Sequence, residues 1–61
     1  MQNKIKELRT QLSITQRELA DMVGTSQQQI QRIETGKVAA KLGLAQAISA
    51  VLKKPLNAVF P

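Results

Sequence analysis

Cysteine, histidine, tryptophan and tyrosine are all absent from the 61 residues, and phenylalanine occurs once. Without cysteine or histidine there can be no disulfide, no zinc site of the usual ligand types and no imidazole for acid–base work. Stability has to come from packing. With only four acidic residues left to build from, an enzyme is the weakest of the functional classes open to the chain, and no cofactor is expected. No apolar run approaches the roughly 20 residues that cross a bilayer, and the N-terminus lacks the hydrophobic segment of a signal peptide. The chain therefore reads as soluble and cytoplasmic, with no membrane partner. Strand-like alternation, internal repeats and low-complexity linkers are also missing. So short a chain has room for one core, which makes residues 1–61 a single domain without a separate sensing or catalytic unit.

What the chain does have is positive charge and amides. Nine Lys and Arg against four Asp and Glu give a net charge of +5, which favours a polyanionic partner or an anionic surface. A solvated basic face would give the same count. The amides are concentrated in "TSQQQIQRIETG", Thr25 to Gly36, where four glutamines fall within five positions. Glutamine is a fair helix former whose amide donates and accepts at once, and so can pair with the edge of another flat polar group.

The apolar spacing is helical throughout. Ile5, Leu8 and Leu12 predict a first helix from about Gln2 to Gln11, with Lys4, Lys6 and Glu7 facing water. Thr15 with Glu18 forms a capping box that opens a second helix, Gln16 to Val23, with Leu19, Ala20 and Val23 as its inner face. Gly24 stands where a left-handed residue ends a helix without steric cost. Ser26 with Gln29 predicts another capping box and a third helix from Gln27 to about Glu34, closed in the same way by Gly36. Ala45, Ile48, Ser49 and Leu52 form the stripe of a fourth helix from Leu42 to Leu52, widened by Leu44 and Val51. Pro55 suits the first position of a short fifth helix through Val59, with Leu56 and Val59 packing inward.

The second and third helices are joined by so short a turn, with a glycine in it, that they cross at roughly 90–120° as a helix-turn-helix. On the third helix Ile30 and Ile33 mark the buried side, so at about 100° per residue the far side carries Gln28, Gln31 and Arg32, flanked by Gln27. This amide-rich, cationic face suits the major groove of duplex DNA, where glutamine can meet adenine bidentately and arginine can meet guanine. Gln27, Gln28 and Arg32 are the expected base readers, with Gln31 toward the edge and Gln29 spent on its capping box. Arg32 could instead pair with a nearby acid. Thr15, Gln16 and Ser26 sit at helix N-termini, where backbone amides favour a phosphate.

"LSITQRELADMVGTSQQQIQRIETGK" resembles the helix-turn-helix of phage repressor and Cro proteins, the Xre-like family, through Leu12, Thr15, Gln16, Glu18, Leu19, Ala20, Gly24, Ile30, Glu34 and Gly36. Arg9 and "AISAVLKKPLNAVF" extend the likeness more loosely over nearly the whole chain. The resemblance implies an all-α, compact five-helix bundle of the lambda repressor-like type. It also implies binding to double-stranded DNA as a homodimer, with each third helix in the major groove of one half-site, the docking geometry of the phage repressors themselves. It further implies that Gln16 and Gln27 cooperate at the start of the half-site, that Gln28 and Arg32 read bases further in, and that Thr35, Gly36, Lys37 and Lys41 meet phosphates. A structural ion pair between Arg9 and Glu34 is implied as well.

Two departures stand out. Lys53 occupies the usual place of the glycine that ends the fourth helix, and Val38, Ala39 and Ala40 make the loop before it less basic than is common. The leading expectation is a sequence-specific transcriptional regulator, a repressor on a palindromic operator, whose partners besides DNA are a second copy of the chain, through Leu56, Phe60 and Pro61, or a toxin if the protein is an antitoxin. A helical protein-interaction module is the alternative from another class, and the polar third helix argues against it.

Overall fold

The computed structural model describes residues 3–61. It is all-helical: α1 (Ile5–Gln11), α2 (Gln16–Val23), α3 (Gln27–Glu34), α4 (Leu42–Leu52) and α5 (Leu56–Val59). Among the described residues no helix is long and apolar enough to cross a membrane. Every helix sends at least one side chain to a common core, where Ile5, Leu19, Ile30, Ile33, Ile48, Leu52 and Val59 are fully buried. Each such burial contributes about 1.5–3 kcal/mol, the main favourable term in a chain without covalent or metal staples. α4 lies at the centre, against α1, α2 and α5, and α2 packs on α3.

The Thr15 capping box is complete. Thr15 Oγ1 accepts the Glu18 N–H at 3.0 Å, and Glu18 Oε1 accepts the Thr15 N–H at 2.9 Å. Accepting that backbone N–H holds the Glu18 carboxyl below its ordinary value, with the Thr15 side chain adding to the effect. A carboxyl lowered in this way stabilises the fold above the unfolded-state value, and the stabilisation is lost as pH falls through the folded-state value. The second box is only half made. Ser26 Oγ accepts the Gln29 N–H at 3.1 Å, but no reciprocal bond from the Gln29 side chain forms, so that amide is not consumed there.

Four of the helices end alike, on a residue with positive φ: Ser13 at 57°, Gly24 at 77°, Gly36 at 79° and Lys53 at 58°. In each case the N–H after that residue reaches back to the helix: Ile14 to the Arg9 carbonyl, Thr25 to Ala20, Lys37 to Arg32 and Lys54 to Ser49. These bonds satisfy carbonyls that a helix end leaves open. A Cβ at Gly24 would meet nothing within 4 Å, so φ is what calls for glycine there. Lys53 takes the glycine geometry despite its side chain, so the turn keeps its shape and the residue bears the strain.

The first helix starts later than its spacing suggested. Gln2 lies outside the described residues, and the helix begins at Ile5 because the residues before it are tied elsewhere. Asn3 Oδ1 accepts the Ile5 N–H at 3.2 Å while Asn3 Nδ2 donates to the Ile33 carbonyl at 2.7 Å. The Lys4 N–H donates to the Val59 carbonyl at 2.9 Å. Leu12 is not a core residue: it lies past the last turn of α1 and is 42% exposed. Pro55 is the N-cap of α5, one place before the position expected, and Leu56 faces out at 37% exposure while Val59 fills the core.

Arg9 and Glu34 are paired. Arg9 Nε donates to Glu34 Oε2 at 2.9 Å, and Arg9 Nη1 donates to the Ile14 carbonyl at 2.9 Å, so one guanidinium joins α1, the loop after it and the end of α3. Both side chains are nearly inaccessible, at 11% and 4% exposure.

Two stability measurements follow. Arg9→Met keeps the aliphatic stem but strands the Glu34 charge, and urea unfolding should show a loss of about 3–5 kcal/mol; a loss below about 1 kcal/mol would mean the pair is idle. Lys53→Gly should raise stability by up to about 1 kcal/mol, because the relief of left-handed strain exceeds the added freedom of the unfolded chain. A lower melting temperature in that variant would contradict the strain argument.

Candidate nucleic-acid interface

The exposed side of α3 is set by its buried side. Ile30 and Ile33 are at 0% and 1% exposure, and the helix therefore presents Gln27, Gln28, Gln31 and Arg32 to solvent. Gln29 lies between, half-buried. α2 packs beside α3 at an angle that brings its first residue alongside, so Gln16, Gln27, Gln28 and Gln31 line one open polar cleft of about 490 Å3. Four amides from two helices thus face one space, each a group that can both donate and accept.

The hydroxyls around the cleft differ in their bonds. Ser26 Oγ accepts a backbone N–H with a lone pair, which leaves its O–H proton free for an outside acceptor such as a phosphate oxygen, whereas the Thr15 hydroxyl both accepts the Glu18 N–H and faces the Glu18 carboxylate. Thr35 is different: its Oγ1 donates to the Gln31 carbonyl at 3.0 Å, so its proton is already engaged by the end of α3. Of the expected phosphate neighbours after α3, Gly36 is half-buried and holds the left-handed turn, whereas Lys37 and Lys41 are exposed, Lys41 at the start of α4.

The residues that line the cleft carry no acid. Glu34, the acid closest in sequence to the reading face, is withdrawn into the pair with Arg9. Among the described residues no carboxylate is within ion-pair distance of Arg32, so the alternative of an intramolecular pair is not realised there. An exposed guanidinium beside neutral amides, with no acid among them, can approach a polyanion without repulsion.

One contact was not legible in the sequence. Gln16 Nε2 donates to Glu34 Oε1 at 3.0 Å, so the carboxylate that anchors Arg9 also grips a wall of the cleft. Residues separated by 18 positions carry no local signal of such a bond. The sequence places Gln16 at a helix N-terminus that favours a phosphate and beside Gln27, with no contact to Glu34.

Between α4 and α5, Ala39, Ala40, Leu42, Ala45, Leu56, Asn57 and Phe60 line a separate open, mainly apolar groove of about 550 Å3. Leu42 is 64% exposed there, while Phe60 is half-buried against the core, so Phe60 divides its surface between its own domain and the groove. Pro61 is exposed at the margin.

A family model described as helix-turn-helix matches residues 5–59, which takes in all five helices. The chain is also 37% identical over 60 residues to an uncharacterised HTH-type transcriptional regulator of Archaeoglobus fulgidus, an alignment covering 98% of this chain and 84% of that protein.

Proposed function

The chain belongs to the helix-turn-helix family, Xre-like in type, and from that premise we propose that it is a sequence-specific double-stranded DNA-binding transcriptional regulator that acts as a repressor. One observation carries this reading: the cleft in which Gln16 of α2 meets Gln27, Gln28 and Gln31 of α3, with Arg32 exposed beside it and no acid on the face. Amides set in a row are edge readers, and the major groove is where a duplex displays base edges that an α-helix can reach. Gln27 and Gln28 read bases, Arg32 reads further along the groove, and Gln16 supports the first of these contacts. Thr15, Ser26, Lys37 and Lys41 hold the backbone, which positions the helix without specifying sequence.

Size argues for two copies. The Cα extents are 22 × 21 × 19 Å, whereas successive half-sites on one face of a duplex are about 34 Å apart. One copy covers one half-site. The groove formed by Leu42, Leu56 and Phe60 is the surface a second copy would use, because exposed leucines beside a half-buried aromatic gain most from being covered. A symmetric pair through that face has a palindromic operator as its counterpart. The dimer is weak and forms mainly on DNA.

Selection from a random duplex pool tests the reading directly: a palindromic consensus is expected, and an unselected pool would defeat it. On the selected site, Gln27→Ala or Gln28→Ala should cost about 1–3 kcal/mol while binding to random duplex stays nearly unchanged, since these amides carry no charge. Equal losses on both duplexes would assign them to general affinity instead. Phe60→Ala that still folds should bind half-sites normally and lose cooperativity on the full operator in a gel-shift titration. Full cooperativity in that variant would move the interface off this groove.

A further inference from the structure

Glu34 holds more than its ion-pair partner. Its Oε2 accepts Arg9 Nε, and its Oε1 accepts Arg9 Nη2 at 3.3 Å and Gln16 Nε2 at 3.0 Å. A carboxylate can only accept, so Gln16 has to turn its amide nitrogen inward and its carbonyl oxygen away. Among the described residues no donor reaches that oxygen, and Gln16 is a wall of the four-glutamine cleft.

We propose that Glu34 is a positioning residue for base recognition, fixing which end of the Gln16 amide is offered to the cleft: an acceptor. The proposal rests on the DNA-binding reading. An amide left free could present either end and would favour neither a donor nor an acceptor opposite it. Held by Glu34, Gln16 Oε1 takes an N–H, either from an exocyclic amine of adenine or cytosine or from the side chain of Gln27 or Gln28, whose other end is then set in turn. Phosphate oxygens have no proton to give, so this oxygen is not a backbone contact. The carboxylate does its work without showing negative charge to DNA, because it is 4% exposed and neutralised by Arg9.

Glu34→Gln reverses the polarity of the link. Arg9 only donates, and its shorter bond, from Nε, is to Oε2, so the remaining oxygen stays at that position, the longer Nη2 bond to Oε1 is given up, and the new amino group faces Gln16. Gln16 then turns over and offers its nitrogen outward. In a folded Glu34→Gln protein, the ratio of preferred-site to random-duplex affinity should fall about 3- to 10-fold, the worth of one hydrogen bond. The base selected nearest Gln16 should change, Gln16→Ala should lose as much, and the double variant should lose no more than either. The ratio is the right readout because the added positive charge raises affinity for every duplex alike, and a merely structural role would alter the melting temperature without moving it. An unchanged ratio and consensus, or losses that add in the double variant, overturns the proposal alone. A wild-type chain that selects no consensus overturns the DNA-binding reading and this proposal with it. Should Glu34→Gln fail to fold, the side-chain amide NMR spectrum of the wild-type protein decides together with Gln16→Ala. One shifted, exchange-protected Gln16 amide proton and a lost ratio in Gln16→Ala uphold it; a freely averaging amide or an intact ratio overturns it.

Discussion

The rest of the structure depends on a single buried carboxylate. Glu34 ends α3, yet its contacts lie in α1 and α2, through Arg9 and Gln16, and Arg9 in turn holds the carbonyl of Ile14 in the loop between those helices. The apolar core alone would leave the angle between α2 and α3 loosely specified, because hydrophobic contact is non-directional. Hydrogen bonds to a carboxylate are directional and charge-assisted. Around Glu34 they fix where the start of α2 stands against α3, and that relation is what makes a cleft of four glutamines and not two separate polar surfaces.

Surface and interior divide the charged groups by task. Of the four acids, one is buried with Arg9 and one is engaged in capping α2, while the amide face of α3 carries none. In the DNA-binding reading proposed above, sequence selectivity comes from the amides and Arg32, and affinity from the lysines around them. The two can vary independently, since changing a lysine at Lys37 or Lys41 does not disturb the amides.

Much of this was legible in the residues, and the reasons are local. The bounds of α2, α3 and α4 follow from Thr15, Ser26, Gly24 and the stripe of Ala45, Ile48, Ser49 and Leu52, each a cap or a period within a few positions of the place it marks. What escaped depends on residues far apart or on types without strong preference. Ser13 and Lys53 adopt left-handed geometry that neither residue advertises. Asn3 looked like part of a helix because its partner, the Ile33 carbonyl, lies 30 positions away. Leu56 had the right spacing for the core, but Val59 already fills that place and leaves it outside. The cleft could be inferred face by face from α3, whereas the grip of Glu34 on Gln16 needed three dimensions.

Asn3 and Lys4 have a further consequence. Protein ends commonly loosen first, at opening free energies near zero. Here the first residues described bond to the last turn of α3 and to the carbonyl of Val59, and Ile5 and Val59 are both fully buried just beyond those bonds. Peeling either end away therefore opens the other, and the two behave as one latch. α5 is only four residues long and could not persist as an isolated helix. Latched in this way, it becomes a stiff wall for the apolar groove, so a surface built on the last helix owes its rigidity to the backbone N–H of Lys4, just before the first.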